Sequence, residues 1–260
     1  MKTREGHARV RRLAPAFDVP FDALRFHERV IVGMALRGID MYDEVYRAAD
    51  RYPMAASAQL RSLVDLTILL RWIEGSPKLR VAMWQASDDL DRLETDEDWQ
   101  RVRAGRGHPT GAAFSPIERR RIQRRAERIR GIALAAGERI DKRPGRPLLP
   151  NTRQRVEITP DSVEVYAIFG VLSKSLHVGA RAFANDEVVK RDDGWHLRLR
   201  PALHGEALRG LAVPALCMLL AAASRLLAIG AEAELDATRL ALAGWTPPAG
   251  GYGPGAEQVE

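Results

Sequence analysis

The fold of this chain is decided by residues 58–74, which read AQLRSLVDLTILLRWIE. Apolar side chains fall on nearly every face of a helix drawn through this stretch, and Gly75-Ser76-Pro77 directly after it is a helix stop signal. A helix that is apolar around its whole circumference is buried inside its domain. The stretch therefore predicts a core helix from about Ala55 to Glu74.

Helical patterns continue on both sides of this core helix. Apolar residues recur at i, i+3 and i+4 spacing, and the further predicted helices cover residues 21–52, 77–93, 95–103, 116–140, 159–183, 206–231 and 233–243. Thr95 with Asp98, and Ser115-Pro116 with Glu118, are typical of helix starts. The chain is therefore predicted to be mostly α-helical.

One segment has the pattern of strands. Residues 187–200 alternate apolar and polar side chains around Asp193-Gly194, which predicts a β-hairpin. The fold class is therefore mostly α, a helical bundle with one small β-hairpin insertion near the C-terminal third.

The chain is predicted to hold one domain. Its 260 residues, 46% of them apolar, suffice for a sizeable core. Residues 1–20 are predicted as a basic N-terminal arm, residues 21–245 as a single helical-bundle domain, and residues 246–260 as a disordered tail. The bundle carries two insertions, the basic segment 116–155 and the β-hairpin at 187–200.

Nothing in the composition points to export or to a membrane. Cys217 is the only cysteine, so no internal disulfide can form. The longest apolar stretch, residues 211–223, contains Pro214 and is shorter than the roughly 18 residues needed to span a bilayer. We expect a cytoplasmic protein without a membrane partner, in which residues 211–223 form either a central helix or the interface of a homodimer.

The net charge of +6 comes from one basic segment. Between Arg119 and Arg155 there are thirteen Lys or Arg against three Asp or Glu, whereas residues 88–98 upstream hold seven acidic side chains. Two interpretations stay open. Either the acidic and basic helices pair with each other as an antiparallel hairpin, or the arginines form a surface that contacts the phosphates of RNA or another nucleic acid.

On the second interpretation, the nucleic-acid-binding residues are six arginines at the start of the basic segment: Arg119, Arg120, Arg121, Arg124, Arg125 and Arg128. No aromatic residue is interleaved in this run, so we expect no base stacking from it.

Two apolar helices carry polar side chains that need an explanation. Arg61 and Asp65 lie one turn apart on the core helix, and taking such a pair out of water costs several kcal/mol per ion before the pair forms. One stripe of the 159–183 helix holds residues at 4, 3, 4 and 4 spacing, namely Tyr166, Gly170, Ser173, His177 and Arg181. These side chains either satisfy one another inside the core or form a site.

The combination of an Arg-x3-Asp/Glu helix with a later Tyr-x6-Ser-x3-His helix resembles an uncharacterised family of bacterial helical proteins, classed as a domain of unknown function. The resemblance covers residues 25–225 in helix order and rests on five residues, Arg61, Asp65, Tyr166, Ser173 and His177. It implies a helical bundle in which these side chains converge, and it implies no established reaction.

The chain is also similar in style to HEPN-type helical toxins, in which an Arg-x4–6-His motif places an arginine beside a histidine. That spacing occurs here in predicted loops or the hairpin at Arg103/His108, Arg191/His196 and Arg198/His204. The similarity implies RNA cleavage without a metal. His177 would act as general acid or base, oriented by Ser173 or Tyr166, and Arg61 or Arg181 would stabilise the pentavalent phosphate.

The histidines and glycines lack the spacing of metal or nucleotide motifs, so we expect neither a metal nor a cofactor. The sequence thus favours an intracellular nucleic-acid-interacting protein, an RNase-like effector of bacterial stress or phage defence. Its candidate catalytic residues are His177, Arg61, Ser173, Tyr166 and Asp65. The alternative is a non-enzymatic helical interaction module in which this polar cluster is structural.

Overall fold

The computed structural model describes residues 2–107, 111–159, 165–169, 172, 187–191, 194–198 and 205–242. The helices with defined bounds are α1 (Lys2–Leu13), α2 (Phe26–Ala48), α3 (Pro53–Ile73), α4 (Pro77–Gly105), α5 (Pro116–Ala135), α6 (Thr152–Ile158), α7 (Gly205–Leu227) and α8 (Glu232–Leu242). Two short 3₁₀ helices, Ala14–Phe17 and Phe21–Ala23, lie between α1 and α2, and residues 165–169 are also helical. The predicted mostly α-helical class is confirmed.

Two segments are extended. Strands β1 (Glu187–Arg191) and β2 (Gly194–Arg198) pair antiparallel, with Glu187 opposite Arg198. The turn predicted at Asp193 lies outside the described residues, so the hairpin insertion of residues 187–200 as a whole stays a prediction.

Helix starts follow from the need of the first backbone amides for partners. Ser115 caps α5: its hydroxyl accepts a hydrogen bond from the Glu118 amide (3.2 Å), and the Glu118 carboxylate accepts one from the Ser115 amide (2.8 Å). The predicted capping box at this position is therefore confirmed. The same exchange between Asn151 and Gln154 starts α6, a helix that the sequence pattern did not predict.

The helix start predicted at Thr95 is wrong. Helix α4 runs unbroken from Pro77 to Gly105, so Thr95 and Asp98 lie inside it. Neither Gly nor Pro precedes Thr95 closely, and nothing therefore ends the helix that leads into it. A capping pattern alone does not start a helix where the preceding turn already satisfies the same amides.

The chain divides into two compact units, unit 1 (Met1–Glu74 and Val156–Glu260) and unit 2 (Gly75–Arg155). Unit 2 contains the predicted basic segment 116–155 together with α4. Residues 246–260, predicted as a tail, lie outside the described residues.

Unit 1 is built around α2, α3 and α7, which pack against one another, with α8 against α7. The core helix predicted from residues 58–74 is confirmed, since α3 buries its apolar side chains completely at Leu60, Leu63, Ile68 and Leu70. Helices α2 and α7 approach closely at Gly38, because a Cβ atom there would overlap the Leu219 side chain.

Helix α1 belongs to this unit. The sequence placed it within a basic arm of residues 1–20, but it packs as a helix on α7 and α8. Val10 is buried, and Gly6 faces Val213 and Leu242 at a distance that leaves no room for a larger side chain without a shift. Its apolar face thus extends the core of unit 1.

Helix α7 is the most apolar element of the described chain. Among the described residues it alone is long and apolar enough to cross a membrane, and 72% of its most apolar window is buried inside the protein. Residues 215–224 are all buried. The structure thus realises the central-helix alternative for residues 211–223, and a homodimer through them stays a prediction.

Unit 2 contains α4 and α5 as an antiparallel helix pair. Near the start of α4, Arg80 pairs with Glu138, which follows the end of α5 (2.7 Å), and in the second half of α4, Asp96 pairs with Arg119 at the start of α5. The start of one helix thus lies beside the end of the other, so the two helices are antiparallel. Both helices also bury apolar side chains: Val81, Met83, Ala86, Leu90 and Leu93 on α4, and Ala126, Ile129 and Ala133 on α5.

Candidate functional site

The polar residues of the core helix form part of a cluster in unit 1. Arg61 and Asp65 lie one turn apart on α3, and both are half-buried. The Arg61 guanidinium carbon is 5.2 Å from the centre of the Phe169 ring, a cation–π distance. Phe169 stacks in turn with Tyr166, their ring centres 6.0 Å apart and their planes inclined by 12°.

The structure therefore brings two of the five predicted catalytic residues, Arg61 and Tyr166, to the same aromatic ring. Ser173 and His177 lie outside the described residues, as do Gly170 and Arg181 of the same predicted stripe. The sequence missed Phe169, because an aromatic residue in an apolar helix carries no polar signal. Only its position three residues after Tyr166, on the same helix face, could have indicated the contact.

The basic helix α5 divides into an inner and an outer face. On the inner face, Arg119 pairs with Glu97 (2.9 Å) and with Asp96, and Arg125 lies 3.5 Å from Asp89 and donates to Gln85 (2.5 Å). Pairing between the acidic and basic helices is thus confirmed for Arg119 and Arg125. These two predicted nucleic-acid-binding residues are engaged within the protein.

Arg130 has a different task, which the sequence did not assign to it. Its side chain is 3% exposed and lies 3.3 Å from the Glu127 carboxylate. Its two terminal nitrogens donate to the backbone carbonyls of Asp141 and Arg146. Arg130 therefore fastens the loop that follows α5 to the helix.

The outer face of α5 is a stripe of five residues at 4, 3, 4 and 4 spacing, which we call the outer stripe: Ile117, Arg121, Arg124, Arg128 and Ile132. All five are exposed, Ile117 to 73% and Ile132 to 50%. Arg121, Arg124 and Arg128 form no ion pair with any described residue. Seven residues of helix separate the first of these arginines from the last, which corresponds to about 10 Å.

Acidic crowding on α4 explains why the inner arginines stay paired. Burial raises the pKa of Asp91, and the neighbouring carboxylates Glu94 and Asp88 raise it further. Arginines from α5 relieve such repulsion at Asp89, Asp96 and Glu97. The acidic residues of unit 2 thus hold the inner face of α5 and leave the outer stripe to solvent.

Unit 1 holds a second polar cluster, which the sequence did not reveal. The His7 Nδ1 atom is 2.8 Å from the Tyr42 hydroxyl, and the His7 ring stacks on Tyr46 with centres 3.8 Å apart. Burial, and then the Arg11 charge, lower the pKa of His7, while burial raises the pKa of Tyr42 and of Tyr46. His7 is therefore neutral near pH 7 and able to accept the Tyr42 hydrogen bond.

This cluster joins α1 to α2 and α7. Arg209 lies with its guanidinium 5.4 Å from the Tyr46 ring centre and pairs with Asp50, and Arg11 pairs with Asp43 (2.6 Å). Residues from three elements meet here, so no local sequence pattern could predict the arrangement. These contacts hold α1 against α2 and α7.

Among the described residues, no group of three or more His, Cys, Asp or Glu side chains is placed to hold a metal ion.

Comparisons with protein-family models, with curated proteins and with solved structures found no match. The resemblances to a bacterial helical family and to HEPN-type toxins therefore stay predictions.

Proposed function

We propose that this protein binds the phosphate backbone of nucleic acid, with RNA as the partner, through the outer stripe of α5. One observation carries the proposal: three arginines of one stripe are exposed and unpaired among the described residues, while neighbouring arginines of the same helix are held by carboxylates. An arginine turned away from available acidic groups is free to bind an anion. Such a surface grips phosphate without reading sequence.

The division of α5 into two faces also supports a rigid binding surface. Arg119 and Arg125 hold α5 against α4, and the capping box formed by Ser115 and Glu118 holds its first turn. The outer arginines are thereby presented on a positioned helix, so that binding orders few additional backbone groups. Exposed isoleucines at both ends of the stripe add apolar contact area beside the charges.

The test is the salt dependence of RNA binding, measured by fluorescence anisotropy with the full chain. We expect Arg121→Gln/Arg124→Gln/Arg128→Gln to bind at least about tenfold more weakly in low salt and to reduce the slope of log affinity against log salt by about 2, since each phosphate contact on a single strand contributes about 0.7. Circular dichroism checks that the variant is folded.

A matched control removes the same charge elsewhere. Arg9→Gln/Arg37→Gln/Arg51→Gln changes three exposed arginines of unit 1 and leaves α5 untouched. If both triple variants lose equal affinity, net charge and not the outer stripe governs binding. The proposal also fails if the wild type does not bind RNA, or binds it with no dependence on salt.

We further propose that the cluster of Arg61, Asp65 and Tyr166 in unit 1, with Ser173 and His177, cleaves RNA without a metal. Support comes from the convergence of Arg61 and Tyr166, which come from two separate helical segments, on the Phe169 ring. In this proposal His177 is the general acid or base, Ser173 or Tyr166 orients it, and Arg61 stabilises the charge on the pentavalent phosphate. In the same proposal, residues 187–200 form a hairpin insertion in the helical bundle.

Cleavage is tested with labelled total RNA in the presence and absence of EDTA. The proposal expects cleavage that survives EDTA and is lost in His177→Ala and in Arg61→Gln, both of them checked for folding. Phe169→Leu removes the ring that Arg61 contacts and serves as a milder variant with reduced cleavage. Absence of cleavage by the wild type would leave a non-enzymatic module whose polar cluster is structural.

A further inference from the structure

Trp99 on α4 lies in an open cavity of unit 2. Its side chain is 60% exposed. The cavity, of about 420 Å³, is lined by Asp96, Gln100 and Arg103 on the same helix face and by residues 111–113 of the following loop. Binding sites for small ligands start at about 300 Å³, so the space is sufficient for one flat aromatic group.

A hydrogen-bond network keeps this cavity in shape. The Asp96 carboxylate, 9% exposed, accepts from the Ala113 amide (3.0 Å) and from the Gln100 side chain (2.8 Å), and it pairs with Arg119. The loop is therefore fastened to α4, and the wall opposite Trp99 is held by groups that already have partners. Since Arg119 belongs to the first turns of α5, the cavity lies at the same end of the helix pair as Arg121.

The charges at this end favour an anionic ligand. Each carboxylate close to the cavity has a partner: Asp96 and Glu97 have Arg119, Asp98 has Arg101, and Glu118 accepts from Ser115. Arg103, in the cavity wall, is exposed and forms no ion pair with a described residue. An aromatic face next to an available cation fits a base and its adjoining phosphate.

We propose that this cavity binds an unpaired nucleobase of a single-stranded nucleic acid, stacked on Trp99, with Arg103 contacting the adjoining phosphate. The inference rests on the proposed function and deepens it, because the outer stripe alone does not distinguish single strands from duplexes. The basic run of the sequence lacks an aromatic residue, but the fold supplies one from the neighbouring helix. A duplex keeps its bases stacked inside and cannot offer one to Trp99.

The experiment compares a single-stranded RNA with a blunt RNA duplex of the same length, by anisotropy at one salt concentration. Trp99→Ala is expected to weaken single-strand binding about tenfold and duplex binding less than twofold. Trp99→Phe keeps a ring and retains most of the affinity. Val102→Ala, an exposed apolar residue of the same helix that does not line the cavity, serves as the control and leaves both affinities unchanged.

The outcomes separate this inference from the proposed function. If the outer-stripe variant loses affinity but Trp99→Ala leaves the ratio of single-strand to duplex affinity unchanged, the inference is overturned and the proposed function stands. If the wild type binds neither RNA, both fall. A nucleoside monophosphate that binds as tightly as the single strand would also overturn the inference, because a free nucleotide would then be the ligand.

Discussion

Helix α7 of unit 1 and helix α5 of unit 2 differ in how much of their circumference is buried. In unit 1, α7 buries Leu216, Leu219 and Leu220 completely against its neighbours. In unit 2, α5 buries only Ala126, Ile129, Arg130 and Ala133 and pairs with α4 through contacts such as Arg119–Asp96. Helix α7 is thus buried around most of its circumference, whereas α5 is buried along one face. The difference explains why α5, and not α7, has a face left for a partner.

The largest effect of a single substitution is expected in the apolar core of unit 1. Leu216→Ala is expected to lower the free energy of unfolding by about 3 kcal/mol, because it removes buried methyl groups and leaves a cavity that tight packing cannot close. Urea denaturation at low and high salt should give the same loss. Leu240→Ala on α8, where the side chain is 60% exposed, is the control and should change stability by less than about 0.5 kcal/mol.

An equal loss in the two leucine variants would mean that α7 is not the packing centre of unit 1. Hydrogen exchange followed by mass spectrometry shows which helices Leu216→Ala destabilises. Faster exchange is expected in peptides from α2, α3 and α7, which share the core.

The second prediction removes one partner of the most buried ion pair among the described residues of unit 2. Glu138→Gln removes the negative charge that Arg80 contacts, in a pair whose side chains are only 12% and 7% exposed. Breaking a fully buried pair costs about 3–5 kcal/mol, and residual water contact reduces the expected loss here to about 2–3 kcal/mol. Hydrogen exchange in α4 and α5 peptides is the measurement.

Asp98→Asn is the matched control for this ion pair. It removes the partner of Arg101 in a pair whose side chains are 76% and 60% exposed, and such pairs contribute about 0–1 kcal/mol. If Glu138→Gln is as mild as Asp98→Asn, the buried Arg80–Glu138 pair contributes no more to the stability of unit 2 than an exposed pair does.

Local sequence signals predicted those parts of the fold that depend on neighbours along the chain. The all-round apolar character of residues 58–74 indicated a buried helix, and Ser115 with Glu118 located the start of α5, because each depends on residues within one or two turns. Thr95 with Asp98 has a similar pattern but lies inside α4. A capping residue starts a helix only where the preceding backbone has already left the helical conformation.

The candidate sites depended on contacts between distant residues and were predicted less well. Charge counting located the basic helix, but only the partners on α4 show which arginines face inward. Trp99 lies near the start of the basic helix α5 only because α4 and α5 pair with each other. Phe169 carries no polar signal. The cluster of His7 with Tyr42 joins residues 35 apart in sequence, which no periodicity can reveal.

The smallest expected effect concerns this His7 cluster of unit 1. Burial and then the Arg11 charge lower the pKa of His7 below its ordinary value of 6.5, against a smaller opposing effect of Asp43. The unfolded chain then binds a proton more readily than the folded protein once the pH falls below 6.5. Stability therefore decreases as the pH falls through this range, and the loss levels off below the folded-state pKa.

His7→Gln tests this pH dependence, because glutamine keeps an acceptor for the Tyr42 hydroxyl but does not titrate. The free energy of unfolding, measured by urea denaturation above and below pH 6.5, should fall less in this variant than in the wild type. His27→Gln, on α2, replaces a histidine outside this cluster and is the control. An unchanged pH dependence in His7→Gln would contradict this prediction, because it would show that the His7 ring is protonated in the folded protein without a cost in stability.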